Sequence, residues 1–416
     1  MEWLHRVVWS PVSLVVLLLL SLYCHGYTRG KIFTSIPSSL YALKEEFKDP
    51  TQLQIFTTSL GAVMGIGNIV GVATAILSGG PGSIFWMVIS SLLITSLKYI
   101  EIYLGMVFRR RDGSGGTYVY MKEGIGSSWL SVLYLLCLLV ACLTMGNLIV
   151  SSTLSEVFVQ LYDIPVSLFG IGFTMIICVM VMRGQKGAMV LNSYLVPYML
   201  VIYLVVCIGI LVMYPSILWN TLVLIGKSAF DIRAVLGGGI GSAIKYGVTR
   251  GLFSNEAGMG SSTMIHARSH HTPHKEAMLG VVEVIIDSVV MCCLSGIVLV
   301  MSGIPVSLQN ATLFLFEAFT VFLGPFAIPF ITLSLLLFGT SSIIGWYVFG
   351  CECLRHVSRN QCTQVLFTIV FLGCIFLGSI GNVLELFLVS DILNGVLVIL
   401  NMYACMKLIR FVRREY

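Results

Sequence analysis

An apolar run from about residue 53 to 78 is long enough to cross a lipid bilayer. At its centre stands Gly61-Ala62-Val63-Met64-Gly65-Ile66-Gly67-Asn68-Ile69-Val70-Gly71, four glycines and an asparagine where a spanning helix should be most regular. A glycine inside a helix costs about 0.5–1 kcal/mol relative to alanine. A backbone group left unpaired in hydrocarbon costs far more. A helix interrupted here must therefore face protein, ions or water instead of lipid. Transporters build their binding sites at the middle of the membrane in this way.

The composition fits that setting. Of the 416 residues, 57% are apolar and only 10% charged, against about 25% charged in a soluble domain. Mean hydropathy is +0.96. Such a chain is an all-α polytopic membrane protein whose core is set by helix packing in lipid. The net charge of +5 bears on topology and gives no reason to expect nucleic acid. The twelve cysteines lie mostly in apolar runs, without a C-x-x-C pair or histidines at ligand spacing, and read as buried free thiols. The first apolar run, Val7 to Tyr23, ends in Tyr23-Cys24-His25. That is not a small-residue cleavage site, so the run reads as a retained transmembrane helix.

Hydropathy suggests about eleven spans. The first six are near 7–25, 53–78, 83–107, 129–158, 166–182 and 188–213, with a polar amphipathic segment at 29–51 and a loop over 214–231. A weakly hydrophobic region, 233–266, is counted as the seventh, although it holds Lys245, Arg250 and Glu256. The last four are near 276–302, 325–354, 363–381 and 383–409, and residues 305–324 hold a short extra helix or a re-entrant loop. With residues 26–52 in the cytoplasm, the loops that fall inside hold 18 of the 24 Lys and Arg. This agrees with the positive-inside rule and puts the N-terminus outside and the C-terminus in the cytoplasm.

Apart from the first helix, ten spans remain, as five plus five. Each half opens on a glycine-interrupted span: 61–71 in the first, and Gly251-Leu252-Phe253-Ser254-Asn255-Glu256-Ala257-Gly258-Met259-Gly260-Ser261 in the second. Interrupted segments at matching positions point to a transport site. An odd number of spans per half requires the repeats to be inverted. The expected units are 1–51 (the extra helix and amphipathic segment), 52–214 (first repeat) and 232–416 (second repeat).

A broken helix exposes N–H groups that suit a carboxylate and C=O groups that suit a small cation. Gly65 and Gly67 would let a carboxylate approach the backbone. Carbonyls of Gly61, Val63 and Met64, with the Asn68 side-chain oxygen, would serve a cation. Tight helix packing is the other reading of Gly61/Gly65 and Gly67/Gly71. A dinucleotide loop is excluded by the spacing and by the lack of a preceding strand. In the second break Ser254 and Asn255 can hydrogen-bond a ligand, and Phe253 and Met259 can wall an apolar pocket. Glu256 needs a partner, for which Arg250 or Lys245 is nearest in sequence. Asp287, one turn after Glu283, reads as a cation ligand, a proton carrier or a hydrogen-bond anchor. Thr340, Ser341 and Ser342 form a hydroxyl cluster that could complete an all-oxygen cation cage or bond their own helix. Asp391 and Asn394 read as structural, and His266, His270, His271 and His274 as solvated loop residues. Neither a nucleophile–base arrangement nor a Walker motif is visible, so ATP-driven transport and enzymatic catalysis are not expected.

These motifs resemble the alanine or glycine:cation symporter family, the sodium/alanine symporters. The resemblance rests on Gly65-Ile66-Gly67-Asn68-Ile69, Gly79-Gly80-Pro81-Gly82 with Phe85-Trp86, and Arg250-Gly251-Leu252-Phe253-Ser254-Asn255-Glu256-Ala257-Gly258-Met259-Gly260. Gly345-Trp346 and Asp391-Ile392-Leu393-Asn394-Gly395 match as well. It implies a LeuT-like 5+5 inverted repeat with one extra N-terminal helix, and sodium- or sometimes proton-coupled uptake of small neutral amino acids. It also implies a substrate between 65–68 and 253–259, Gly258 included. One implied cation site takes carbonyls of Gly61, Met64 and Phe338 with hydroxyls of Ser341 and Ser342. The other takes the Val63 carbonyl, Asn68 and Asp287. The chain departs from the family at Ile66 (usually Thr), Val150 (usually a substrate-facing Gln) and Thr117 (usually Pro). Loss of the Gln favours a larger or more apolar amino acid. The expected protein is a multi-pass inner-membrane symporter of a small neutral amino acid with Na+ as coupling ion and no other cofactor. A proton-coupled carrier of broader specificity and a non-transporting sensor are the alternatives.

Overall fold

Several helices in this chain begin behind a side-chain cap. The computed structural model describes residues 3, 8–46, 48–230, 241–305, 310–358, 360–381 and 384–412. Arg6, Arg233, Arg359, Arg413 and Arg414, and the first part of the seventh expected span, lie outside these residues. No strand occurs among the described residues.

Helix α1 (Pro11–Tyr27) starts behind Ser10, whose side chain accepts from the Ser13 amide. A 79° bend follows, at Arg29 and Gly30, both with positive φ, and leads into α2 (Lys31–Glu46). Asp49 caps α3 (Pro50–Val63) by accepting from the amides of Thr51 and Gln52. The helix then stops: Gly65 is extended, residues 66–68 make one tight turn, and α4 (Val70–Gly79) resumes. Next come α5 (Gly82–Val107), α6 (Ser128–Tyr162), α7 (Val166–Val181), α8 (Gly184–Met213) and α9 (Pro215–Ala229). The second interruption separates α10 (Ser242–Asn255) from the short α11 (Thr263–His266). Glu256, Gly258 and Gly260 all take positive φ there, two of them supplied by glycine because L side chains resist it. The chain ends with α12 (Pro273–Met301), α13 (Ala311–Leu323), α14 (Ala327–Val357), α15 (Gln361–Ile380) and α16 (Leu384–Leu408).

Two segments differ from the sequence expectation or sharpen it. Within the segment 214–231, read as a loop, Pro215–Ala229 form the helix α9. Pro215 opens it, and its far end lies over the start of α5, with Gly82 N donating to Ser228 Oγ at 3.1 Å and Trp86 Nε1 to the Ala229 carbonyl at 2.9 Å. Residues 305–324, left open between helix and re-entrant loop, contain the helix α13. Among the described residues, seven helices are long and apolar enough to cross a membrane, or eight if the bent α1–α2 pair is one span. The two interrupted pairs and the 16-residue α7 are shorter than that measure.

Helices α5 and α12 are central, with 67% of their apolar windows buried, whereas α8 and α15, at 28%, show most of that surface outward. Helix α10 lies along α5, and α3 is clamped between α8 and α14. Small residues make the clamp possible. A Cβ on Gly345 would lie 2.5 Å from the Ala62 Cβ and 2.7 Å from the Ala62 backbone nitrogen. Gly345→Ala should therefore cost about 1–3 kcal/mol of overpacking and lower the melting temperature in detergent. Gly172→Ala, with no atom within 4 Å of the added carbon, should leave it unchanged.

Candidate functional site

The two interruptions meet at one carboxylate. Asp287, fully buried on α12, accepts from Asn68 Nδ2 at 2.6 Å on one oxygen. On the other it accepts from Ser254 Oγ and Ser288 Oγ, both at 2.8 Å. A carboxylate only accepts, so the Asn68 amide must turn its nitrogen toward it. That leaves Asn68 Oδ1 buried without a hydrogen-bond partner among the described residues. Leaving such an oxygen unpaired costs about 1–3 kcal/mol, and a cation beside it would remove that cost.

A second oxygen cluster lies where α3 ends against α14. Ser341 Oγ donates toward the carbonyls of Phe338 at 3.1 Å and Gly61 at 3.4 Å. Ser342 Oγ donates to the Ala62 carbonyl at 3.1 Å, an acceptor that no motif marks. Asn192 on α8 fixes the Ser341 carbonyl at 3.2 Å. Met64 is buried, and its amide closes the last turn of α3 on the Leu60 carbonyl.

Between these clusters is a cavity of about 280 Å³. Val63, Gly65, Ile66 and Gly67 form its floor, with Phe253 and Ser254 opposite. Val150, Met145 and Trp346 make the rest largely apolar, and Arg250, Asp391 and Asn394 stand at one side. Asp391 and Asn394, read from sequence as structural, thus line the cavity. The Gly65 amide donates to the Val63 carbonyl at 3.0 Å, so this N–H already has an acceptor.

Asn255, Gly258 and Met259 do not line the cavity; they lie behind it. Asn255 donates to Ser91 Oγ and Ser288 Oγ and accepts from the Ala257 amide, holding the break in shape. The carbonyls of Gly258, Met259 and Gly260 are taken by Asn401, Tyr134 and Thr117, at 2.9, 2.8 and 3.0 Å. Thr117, where the family has proline, is thus a tie to the second break. Lys98 Nζ donates to Ser262 Oγ at 2.8 Å and lies 3.8 Å from Glu101, which accepts from Asn401. The paired charges Lys98 and Glu101 inside an apolar run were the available signal for this support. Tyr134 and Asn401 carried none.

Two expectations are corrected. Glu256 accepts from Ser261 at 2.6 Å rather than pairing with Arg250 or Lys245, which lie over the rings of Phe253 and Tyr246. The αL turn at Glu256 carries its side chain toward 261 and away from α10. His266 is not a solvated loop residue. It is fully buried between Glu276 at 2.6 Å and Glu283 at 3.2 Å, and Glu283 also accepts from Ser59 on α3. His271 bonds Glu276, His274 bonds Tyr99, and His270 bonds Gln52. With the Arg268–Glu352 pair, these contacts close the end of the bundle where α3 begins.

Comparison with known proteins places this arrangement. The sequence model of the sodium:alanine symporter family matches residues 1–416. The chain is 31% identical over 380 residues to a transporter of Haemophilus influenzae, covering 88% of this chain and 83% of the relative. It is 29% identical over 427 residues to the sodium/alanine symporter AgcS of Methanococcus maripaludis, covering 96% and 92%. The fold is that of the crystal structure of MhsT in complex with L-phenylalanine, with a TM-score of 0.62 at 13% identity over 86% of this chain and 88% of that one.

The geometry predicts a ranking of stabilities. Tyr134→Phe removes the hydroxyl that holds the Met259 carbonyl and should cost about 1–3 kcal/mol. Asp287→Ala leaves an amide and two hydroxyls without their acceptor and should cost more. Thermal unfolding in detergent checks both values.

Proposed function

The chain belongs to the sodium:alanine symporter family, and from that premise we propose that it carries a small neutral amino acid into the cell together with Na+ by alternating access. It is a multi-pass membrane protein of LeuT-like fold and a sodium-coupled amino-acid symporter.

The observation that carries the reading is the junction of Asn68, Asp287 and Ser254 beside the cavity, with the Asn68 oxygen left for a ligand. One sodium ion would take that oxygen, the Val63 carbonyl and Asp287. A second would take the carbonyls of Gly61, Met64 and Phe338 and the hydroxyls of Ser341 and Ser342, which would turn from donating toward carbonyls to ligating the ion. The substrate carboxylate would rest on the amides of Ile66 and Gly67 at the electropositive start of the second half-helix. Its side chain would face Val150, Met145 and Trp346. That apolar wall favours a residue larger than alanine.

Repeats over 52–214 and 232–416, with 1–51 outside them, account for the facing breaks. The N-terminus is outside and the C-terminus cytoplasmic, as the basic loops favour. The cavity is then flanked on the outer side by Arg250 and Asp391, while the His266 and Arg268 contacts close the cytoplasmic side. Binding of sodium would favour this outward-facing arrangement and order the site before the amino acid arrives.

Purified protein in liposomes tests the reading. A sodium gradient should drive uptake of alanine or of a larger neutral amino acid that competes with it. Asn68→Ala and Ser341→Ala should each raise the sodium half-saturation by about ten-fold or more, a loss near 1.4 kcal/mol of ion binding. Uptake that follows a proton gradient and ignores sodium would instead favour the proton-coupled reading, with Asp287 or Glu256 titrating. Amino-acid binding without counterflow would favour a sensor.

A further inference from the structure

Phe253, on the last turn of α10, presents one wall of the cavity. Its ring is held from two sides. The Arg250 guanidinium lies 5.8 Å from the ring centroid, and the Trp9 indole lies 4.9 Å away, tilted by 50°. Trp9 stands just before α1, outside both repeats, and it is 7% exposed. Its Nε1 donates to the Asp391 carbonyl at 2.8 Å. The approach of this segment to α16 is close, since a Cβ on Gly395 would lie 1.9 Å from Val8 Cγ1 and 3.4 Å from the Trp9 ring. One indole therefore touches a cavity residue on the last turn of α10 and the backbone of a cavity residue on α16, without itself lining the cavity.

We propose that Trp9 is a positioning residue for substrate selection. The indole pins the Phe253 ring and the α16 turn that carries Asp391, and so sets the width of the cavity between α10 and α16. That width decides which amino-acid side chains enter. The extra N-terminal helix is thereby part of the recognition machinery, although it contributes no ligand. An aromatic pair fixes ring orientation as well as burying area, and the indole N–H adds a direction that an aliphatic residue lacks. The inference rests on the amino-acid transport proposed above.

The test uses full-length protein in liposomes with two readouts. The first is sodium-driven uptake of alanine, leucine and phenylalanine by wild type, Trp9→Ala, Trp9→Phe and Gly395→Leu. Trp9→Ala and Gly395→Leu should each raise KM for the preferred amino acid by about five-fold with Vmax little changed. They should also shift the KM ratio between small and large substrates. Trp9→Phe keeps the ring contact and should restore most of the selectivity. The second readout does not need transport: maleimide labelling of a Val70→Cys cavity reporter, quantified by mass spectrometry of that peptide, should run several-fold faster when Trp9→Ala is added. Unchanged KM ratios with unchanged labelling would overturn the proposal. So would a loss confined to Vmax that tracks a fall in melting temperature. Wild-type protein that takes up no amino acid would overturn the transport reading instead, and the labelling rates would still decide the role of Trp9.

Discussion

A single buried carboxylate holds the two interrupted helices in register. Asp287 accepts from Asn68 on one oxygen and from Ser254 and Ser288 on the other. A carboxylate in this position is costly unless its lone pairs are filled, and three donors fill most of them. The broken helices in turn depend on it. Without a common acceptor, the amide after the first break and the hydroxyl before the second would have to find partners where there is no water.

The two breaks are built differently. On the first break Gly65, Ile66 and Gly67 line the cavity, and the buried Asn68 oxygen has no hydrogen-bond partner among the described residues. The second is closed from behind, its carbonyls at Gly258, Met259 and Gly260 held by side chains from three other parts of the chain. Hydrogen bonds inside a low-dielectric core are strong and leaving them unmade is expensive, so this side is a firm wall. Ligand chemistry is concentrated on the first break, while the second contributes Phe253 and Ser254 on a fixed frame.

Charge is handled in the same spirit elsewhere. Lys98 and Glu101 sit one turn apart on the central helix α5; Lys98 bonds Ser262, and Glu101 accepts from Asn401, which holds the Gly258 carbonyl. His266, Glu276 and Glu283 form a buried cluster that ties α3, α11 and α12 together at one end of the bundle. Pairs of this kind add less to stability than they add to the choice of one arrangement over another, and in an alternating-access protein that choice is the working variable.

By itself the sequence determined the class of fold and the position of the two helix interruptions. Apolar runs, a handful of charges and two glycine-rich interruptions suffice for that, because lipid punishes every unpaired backbone group and leaves few ways to spend glycine. The pairing of Asn68 with Asp287 was implied by the resemblance to the symporter family, and the two are in hydrogen-bond contact. Only the tertiary structure decided which polar groups meet which. Asn255 and Met259 share a motif with Phe253, yet neither lines the cavity: Asn255 bonds Ser91 and Ser288, and the Met259 carbonyl accepts from Tyr134. Glu256 finds Ser261 rather than Arg250, and His266 is buried among carboxylates brought from a different helix. Trp9 reaches Phe253 across more than two hundred residues. Hydropathy and local spacing record how each segment meets lipid. They do not record the direction in which a side chain leaves an irregular backbone, and at the breaks that direction sets the chemistry.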